Sequence, residues 1–221
     1  MKVGDPSVPL RALLRRYKEA LAVPGFVSSV LLSAVLFVAS WFVNTYAILF
    51  ATERASNPVT DLMLSNIPVF DVDGLFVYGT FVFAAFTVCV VCAHPKRLPF
   101  ALYTVALFWM IRSGFTTLTH VAPFAHTTSE FGPSINRIFF GADQFFSAHT
   151  GMPFLGVLAF WKKQWVRYTF LAGSAFFGVI VLLGHLHYSI DVAAACFITY
   201  GIFHIAEWMF PRSRFLFNET L

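Results

Sequence analysis

The first long apolar run of the chain reads FVSSVLLSAVLFVASWFVNTYAILFA from Phe26 to Ala51 and contains no charged residue. A helix needs about 20 apolar residues to cross the hydrocarbon of a bilayer, so this run predicts a membrane span. A cleaved signal peptide is excluded, because its apolar region is shorter and ends in a small-residue cleavage pattern. The basic segment 1–25 before the run is the predicted cytoplasmic flank of this span.

Five further apolar runs follow, so the sequence predicts an all-α integral membrane protein with six transmembrane helices. They form one membrane domain over residues 26–210, followed by a cytoplasmic tail at 211–221. The fourth run is the weakest, because it has only about a dozen clearly apolar residues unless its helix begins near Gly141. The predicted spans are Phe26–Ala51, Gly74–Cys92, Leu98–His120, Thr150–Trp161, Tyr168–Leu186 and Tyr188–Phe210.

The composition excludes a globular domain that faces water on all sides. Hydrophobic residues make up 58% of the chain, charged residues only 12%, and the mean hydropathy is +0.72. In a soluble domain about a quarter of the residues carry charged side chains. Cys89, Cys92 and Cys196 all lie within apolar runs, which is typical of core residues rather than of a metal or redox site.

The Lys and Arg residues outside the spans are distributed unequally between the two sides of the membrane. Twelve lie in the N-terminal segment, the second and fourth loops and the C-terminal tail, whereas only Arg54 and Arg137 lie in the other loops. The positive-inside rule therefore predicts that both termini are cytoplasmic. The same distribution accounts for the net charge of +4, so we expect no nucleic-acid partner.

Polar groups within or beside the spans gather in three clusters. Arg112 lies near the outer end of the third span, GADQFFSAHT (141–150) leads into the fourth, and GHLHYSID (184–191) joins the fifth to the sixth. A charged group costs about 2.5 to 3.5 kcal/mol at the centre of a membrane helix, which makes such groups candidates for function. All three clusters are predicted at the outer, non-cytoplasmic face, although they are dispersed over about 80 residues.

His187 and Asp191 are four residues apart, so they share a face at the start of the sixth helix. The carboxylate can then accept the ring N–H of the imidazole and leave the other nitrogen unprotonated, which is what a nucleophilic histidine requires. A structural alternative is equally open, with Asp191 as a helix cap beside an interfacial histidine.

The other two clusters supply groups that would hold and protonate a phosphate. Ser147 and the backbone N–H groups after it stand at a predicted helix N-terminus, which favours anions, and His149 lies beside them as an acid or base. Arg112 can bind a phosphate bidentately. The alternatives are a plain N-cap for Ser147 and an ion pair of Arg112 with Asp143 or Asp191. Together the groups indicate phosphoryl transfer.

At these residues the sequence resembles the sphingomyelin synthases. GADQFFSAHT is similar to their Cys-Gly-Asp-x-x-x-Ser-Gly-His-Thr motif, GHLHYSIDV (184–192) to their Ala-His-Asp-His-Tyr-Thr-x-Asp-Val, and residues 111–119 to their Tyr-Arg-x-x-Thr segment. The resemblance covers about residues 96–210, which is the expected catalytic core. That family belongs to the type 2 phosphatidic acid phosphatase (PAP2) superfamily, whose six-helix fold carries its site on the exoplasmic face.

The resemblance implies a role for each matching residue. His187 would attack phosphorus, Asp191 would orient it, and His149 would protonate the departing diacylglycerol and later deprotonate the acceptor. The donor would be a glycerophospholipid and the acceptor a lipid such as ceramide, with no cofactor and no metal. The substrate-binding residues implied by the same matching are Arg112, Asp143, Ser147, His185 and Tyr188; for His185 a structural role at the interface is equally open.

Within the motif at 141–150 the sequence departs from the family pattern at three positions, and two rival functions stay open. Gly141 replaces Cys, and Ala142 and Ala148 replace glycines, which narrows the backbone freedom of the phosphate turn. The nearest rival is a lipid phosphate phosphatase or phospholipase C-like hydrolase of the same superfamily, although the Lys-x6-Arg-Pro motif of such phosphatases is absent. A transporter would need polar groups through the whole depth of the bilayer. Whether the chain forms a homo-oligomer is left open.

Overall fold

A computed structural model of the chain describes residues 7–124 and 144–221. Helices make up the fold, and no strand occurs in these residues. The predicted site residue Asp143 lies outside the described residues, as do Arg137, Gly141 and Ala142. The helices are α1 Ser7–Leu21, α2 Phe26–Glu53, α3 Asp73–Cys92, α4 Leu98–Leu118, α5 Ala148–Ala159, α6 Gln164–Leu183, α7 Ser189–Met209 and α8 Pro211–Asn218, with a 3₁₀ turn at Pro95–Arg97 before α4.

Five helices of the described segments are long and apolar enough to cross a membrane, which agrees with a multi-pass membrane protein. They are α2, α3, α4 with its preceding turn, α6 and α7. The fourth predicted span corresponds to α5, whose 12 residues reach only about 18 Å. Its helix does not extend back through residues 144–147, which are not helical. A sixth complete span therefore stays a prediction.

Helix α2 packs along α4 mainly through small and polar side chains, and Trp41 of α2 adds an edge contact with Trp109 of α4 at 6.1 Å between ring centroids. Large residues such as Phe42, which is 69% exposed, point away from the bundle. Small residues let two membrane helices approach closely and leave the bulky ones to contact lipid. The buried positions of α2 are Phe26, Ser33, Ser40, Asn44, Ala47 and Ala51.

Helices α2 to α7 alternate in direction, as the hydrogen bonds between their ends show, so alternate helix ends meet at the two ends of the bundle. At one of them, here called the site end, the N–H of Ser56 after α2 donates to the carbonyl of His120 after α4 at 2.7 Å. At the same end, the N–H of Phe70 before α3 donates to the carbonyl of Leu183, the last residue of α6, at 2.9 Å. The loops that join the helices here are thus connected to one another.

The opposite end, here called the basic end, holds α1 and α8. Arg16 of α1 donates to the carbonyl of Ala93 after α3 at 3.0 Å. Arg97 before α4 donates to the carbonyl of Thr220 after α8 at 2.8 Å. The helices nearest the two termini therefore share one end of the bundle, and the cytoplasmic location of that end stays a prediction.

His94 at the basic end makes the stability of the fold depend on pH. Its burial, together with the charges of Arg97, Arg16 and Lys163, lowers its pKa from 6.5 to about 4. Because the folded pKa lies below the unfolded one, the stabilisation is complete above about pH 6.5 and is lost as the pH falls toward 4. We expect His94→Gln to flatten this loss in thermal unfolding of the detergent-solubilised protein. An equally steep loss in the variant would contradict the assignment.

Candidate active site

The non-helical segment 144–147 before α5 contacts the turn between α6 and α7 at one point and the first turn of α7 at another. The side-chain amide of Gln144 donates through Nε2 to the carbonyl of Leu186 at 3.3 Å. The backbone N–H of Ser147 donates to the carbonyl of Asp191 at 3.1 Å. These bonds bring the cluster that contains His149 beside the cluster that contains Asp191, at the site end of the bundle.

Arg112 of α4 connects the third cluster to the same segment. Its side chain is 1% exposed, and Nε donates to the carbonyl of Phe146 at 3.2 Å. Phe146 has a φ of +29°, which side-chain-bearing residues rarely adopt, so this hydrogen bond helps to hold a strained turn. Nη1 of Arg112 also lies 3.5 Å from Oδ1 of Asn44 in α2. Sequence reasoning missed this contact of Asn44, although a polar side chain inside an apolar span indicates a buried polar partner.

His187 and Asp191 form a buried pair at the start of α7. Nδ1 of His187 lies 3.3 Å from Oδ2 of Asp191, and their side chains are 6% and 2% exposed. The same Oδ2 accepts the backbone N–H of Tyr188 at 3.1 Å, which is the capping contact of the helix. The two interpretations of Asp191, an orienting carboxylate and a helix cap, are therefore both compatible with this one arrangement. With the Nδ1 proton directed at Asp191, Nε2 is the nitrogen that can act as a nucleophile.

Ser147 and His149 lie at the N-terminus of α5. Oγ of Ser147 accepts the backbone N–H of Thr150 at 3.4 Å, so Ser147 is the N-cap residue. The ring centroid of His149, in the first turn, lies 4.3 Å from that of Phe76 and 6.2 Å from that of Phe177. These aromatic contacts restrict the orientation of the imidazole.

His185 occupies the sharp turn between α6 and α7. It has a φ of +53° and is 4% exposed, and its ring lies 5.2 Å from that of Phe124. Neither of its ring nitrogens has a hydrogen-bond partner within residues 7–124 and 144–221. Buried polar atoms are usually satisfied, so these nitrogens are candidates for contact with a bound molecule. The substrate-binding role of His185 stays a prediction.

The hydroxyl of Tyr188 bridges two backbone groups of other loops. It donates to the carbonyl of Ala122 at 2.8 Å and accepts the N–H of Val59 at 3.2 Å. These hydrogen bonds connect three loops at the site end. A contact of Tyr188 with substrate stays a prediction, and it would have to use the ring or exchange one of these hydrogen bonds.

The loop between α2 and α3 contributes a carboxylate that sequence reasoning missed. Asp61 is 8% exposed, and its Oδ2 accepts the backbone N–H of Ser189 at 2.8 Å. Ser189 lies 128 residues further along the chain. No local motif distinguishes Asp61 from an ordinary loop residue, so only the folded chain identifies this contact.

The C-terminal part of the chain, which carries most of this geometry, is similar to a known family. Residues 141–208 match the family model described as PAP2 superfamily C-terminal. This match supports membership of the PAP2 superfamily. The matched segment contains His149, His187 and Asp191, and PAP2 membership suggests an enzyme that acts on phosphate-containing lipids. No curated protein and no solved structure matches the chain.

Proposed function

We propose that the protein is a membrane phosphotransferase that moves a phospho-alcohol head group from a glycerophospholipid to a lipid acceptor such as ceramide. The observation that carries this proposal is the hydrogen bond of 3.1 Å from Ser147 to Asp191, because it joins the helix of His149 to the pair of His187 and Asp191. Two imidazoles at the same end of a membrane bundle supply a nucleophile and a proton donor. The PAP2 match supports chemistry on lipid phosphates.

The first step transfers the head group to the enzyme. Nε2 of His187 attacks phosphorus while the bond from phosphorus to the diacylglycerol oxygen breaks. His149 gives its proton to that oxygen, so that neutral diacylglycerol leaves. Asp191, at 3.3 Å from Nδ1, stabilises the positive charge that the ring of His187 acquires in the phosphohistidine.

The second step transfers the head group to the acceptor. The hydroxyl oxygen of the acceptor lipid attacks phosphorus, and its proton returns to His149. The bond from phosphorus to Nε2 of His187 breaks, and the electron pair stays on the nitrogen. Both histidines recover their starting protonation states, so the cycle consumes no cofactor.

The phosphate oxygens would be held by groups around these histidines. The first turn of α5 directs backbone N–H groups and the positive end of a helix dipole toward the site end. Arg112 adds a buried positive charge next to the same segment. We assign Ser147, His185, Tyr188 and Asp143 to the binding of the head group and phosphate, together with Arg112, as the family resemblance implies.

We place the site end on the exoplasmic side of the membrane. The support is the charge distribution, because twelve Lys and Arg residues lie in the segments of the opposite side and two in the loops of the site end. The lipid substrates would then be drawn from the outer leaflet, and diacylglycerol would be released into it.

Hydrolysis is the second candidate function. The match to the model described as PAP2 superfamily C-terminal does not distinguish a hydrolase from a transferase. In a hydrolase, water would replace the acceptor in the second step. We favour transfer because Arg112 is the one arginine within a predicted span. One guanidinium suits a phosphodiester with a single charge better than a dianionic monoester.

The test uses purified protein in detergent with a fluorescent ceramide and either phosphatidylcholine or phosphatidylethanolamine. Transfer predicts a new fluorescent phospholipid on chromatography, with an equal amount of diacylglycerol. Replacing His149 by alanine should lower this rate by at least about 10²-fold, because the acid-base group is lost.

A matched control is His204→Ala. This histidine lies near the basic end of α7, where it pairs with Glu207 at 2.9 Å, so its replacement should leave transfer unchanged. Near wild-type turnover of His149→Ala would reject the role of His149. Release of free phospho-alcohol without any fluorescent phospholipid would replace transfer by hydrolysis.

A further inference from the structure

The carboxylate of Asp61 accepts four hydrogen bonds, two of which join the α2–α3 loop to the start of α7. Its Oδ2 accepts both the backbone N–H and the hydroxyl of Ser189, each at 2.8 Å. Its Oδ1 accepts the backbone N–H groups of Met63 and Leu64 at 2.9 and 3.0 Å, which closes a turn within the loop itself. All four lone-pair positions of the carboxylate are therefore used.

A second contact of the same loop lies one residue away. The N–H of Val59 donates to the hydroxyl of Tyr188 at 3.2 Å. The loop is thus attached at two consecutive positions, Tyr188 and Ser189, and both lie in sequence between His187 and Asp191. The contacts of 2.8 Å are the tighter ones, so Asp61 is the main attachment.

The first turn of α7 consequently has two carboxylates bound to its backbone. Asp191 accepts the N–H of Tyr188 at 3.1 Å, and Asp61 accepts the N–H of Ser189 at 2.8 Å. Negative charge at a helix N-terminus is stabilised by the helix dipole. Among the described hydrogen bonds, Oδ2 of Asp191 is shared between Tyr188 and His187, while the N–H of Ser189 goes to Asp61.

The protonation state of Asp61 favours this arrangement at neutral pH. Burial acts to raise its pKa, but the hydrogen bonds from Leu64, Ser189 and Met63 outweigh burial, so the pKa is lowered from 3.8. The loop thus presents a full negative charge to Ser189. A charged acceptor forms stronger hydrogen bonds than a neutral one.

We propose that Asp61 is a positioning residue for the nucleophile, holding the first turn of α7 so that Nδ1 of His187 stays against Asp191 throughout the reaction. This inference rests on the proposed function. Without the attachment, the backbone between His187 and Asp191 gains freedom, and a contact that is already 3.3 Å long is lost in part of the population. Displacements of about 1 Å at a reacting group can cost about 10² in rate.

The test compares Asp61→Asn with Asp71→Asn in the full-length protein. In Asp61→Asn the NH₂ group of the amide faces groups that are themselves hydrogen-bond donors, so part of the attachment is lost. Asp71 is the control, because it lies in the same loop and, among the described hydrogen bonds, contacts only the N–H of Asp73, at 3.3 Å. We expect kcat of Asp61→Asn to fall by about 10²-fold with KM within about threefold. Asp71→Asn should keep both constants. A fall in stability with unchanged kcat per folded molecule would overturn the proposal.

Ser189→Ala keeps the proposal testable if Asp61→Asn does not fold. It removes only the hydroxyl donor and leaves the backbone N–H bond of 2.8 Å to Asp61. We expect kcat to fall by about three- to tenfold, less than in Asp61→Asn, because one of the two hydrogen bonds from Ser189 to Asp61 is kept. Where Asp61→Asn does fold, the double variant with Ser189→Ala should lose almost no more kcat than Asp61→Asn alone, because the two residues act through the same attachment. Additive losses would overturn the inference.

Hydrogen exchange separates this inference from the proposed function. In Asp61→Asn, amides 188–192 at the start of α7 should exchange faster than in wild type and in Asp71→Asn. If wild-type protein transferred and hydrolysed no head group, the proposed function would fail, while faster exchange would still establish the attachment. Unchanged exchange at these amides would overturn the attachment whatever the substrate.

Discussion

Replacement of His187 by alanine is expected to lower head-group transfer by at least about 10³-fold, because the variant lacks the nucleophile itself. His187 is 5% exposed and in contact with Asp191 at 3.3 Å, and the alanine that replaces it carries no side-chain nitrogen that could attack phosphorus. The measurement is the initial rate of fluorescent phospholipid formation at saturating donor and acceptor. The same variant should also lose any hydrolysis of the donor, since in the proposed mechanism both reactions pass through the phosphohistidine.

The covalent intermediate gives a direct control for this prediction. After brief reaction with a donor labelled in its phosphate, wild-type protein quenched in alkali should carry label, because a bond from phosphorus to histidine survives alkali and breaks in acid. His187→Ala should carry none, whereas His204→Ala should be labelled as wild type. Label on His187→Ala, or turnover within tenfold of wild type, would contradict the assignment of the nucleophile.

Replacement of Asp191 by asparagine is expected to lower turnover by about 10³-fold with little loss of stability. The amide oxygen of asparagine can still accept the N–H of Tyr188, so the helix cap is retained. The amide carries no charge, so it no longer stabilises the positive ring of His187 during phosphoryl transfer. It can also bind the wrong tautomer of the imidazole through its NH₂ group.

Asp191→Ala separates the two roles of this residue. It removes the cap as well as the charge, and we expect its unfolding free energy to be lower by about 1 kcal/mol than that of Asp191→Asn. Turnover should be similar in the two variants, because both lack the charge. If Asp191→Asn kept wild-type turnover and only Asp191→Ala lost it, the function of Asp191 would be capping alone.

The spans of this protein could be predicted from the sequence with small errors. Predicted and observed ends of the second span differ by one residue at most, Gly74–Cys92 against Asp73–Cys92. Hydropathy and backbone hydrogen bonding act over a few turns of one helix, so a span can be predicted from a short stretch of sequence. The fifth span is further off, predicted at Tyr168–Leu186 and observed as α6 at Gln164–Leu183. Helix α5 begins only at Ala148, because Ser147 is its N-cap residue and has an extended backbone. The extent of that helix depends on neighbours that bury its polar start.

The parts of the candidate site could be predicted where they form local motifs. The spacing of His187 and Asp191 indicated their contact, because residues four apart meet on one helix face. Asn44 and Asp61 escaped prediction for the opposite reason. Their partners, Arg112 and Ser189, lie on other helices, 68 and 128 residues away.

The sequence alone therefore determined the apolar helices, their alternating direction and the identity of the chemical groups, since each follows from interactions within about 20 consecutive residues. Only the tertiary structure decided which groups meet. The bond from Ser147 to Asp191, the contact of Arg112 with Phe146 and the attachment of Asp61 to Ser189 all join distant segments. Such contacts arise from the packing of whole helices, and the fold satisfies buried polar groups with whichever partners that packing brings within reach.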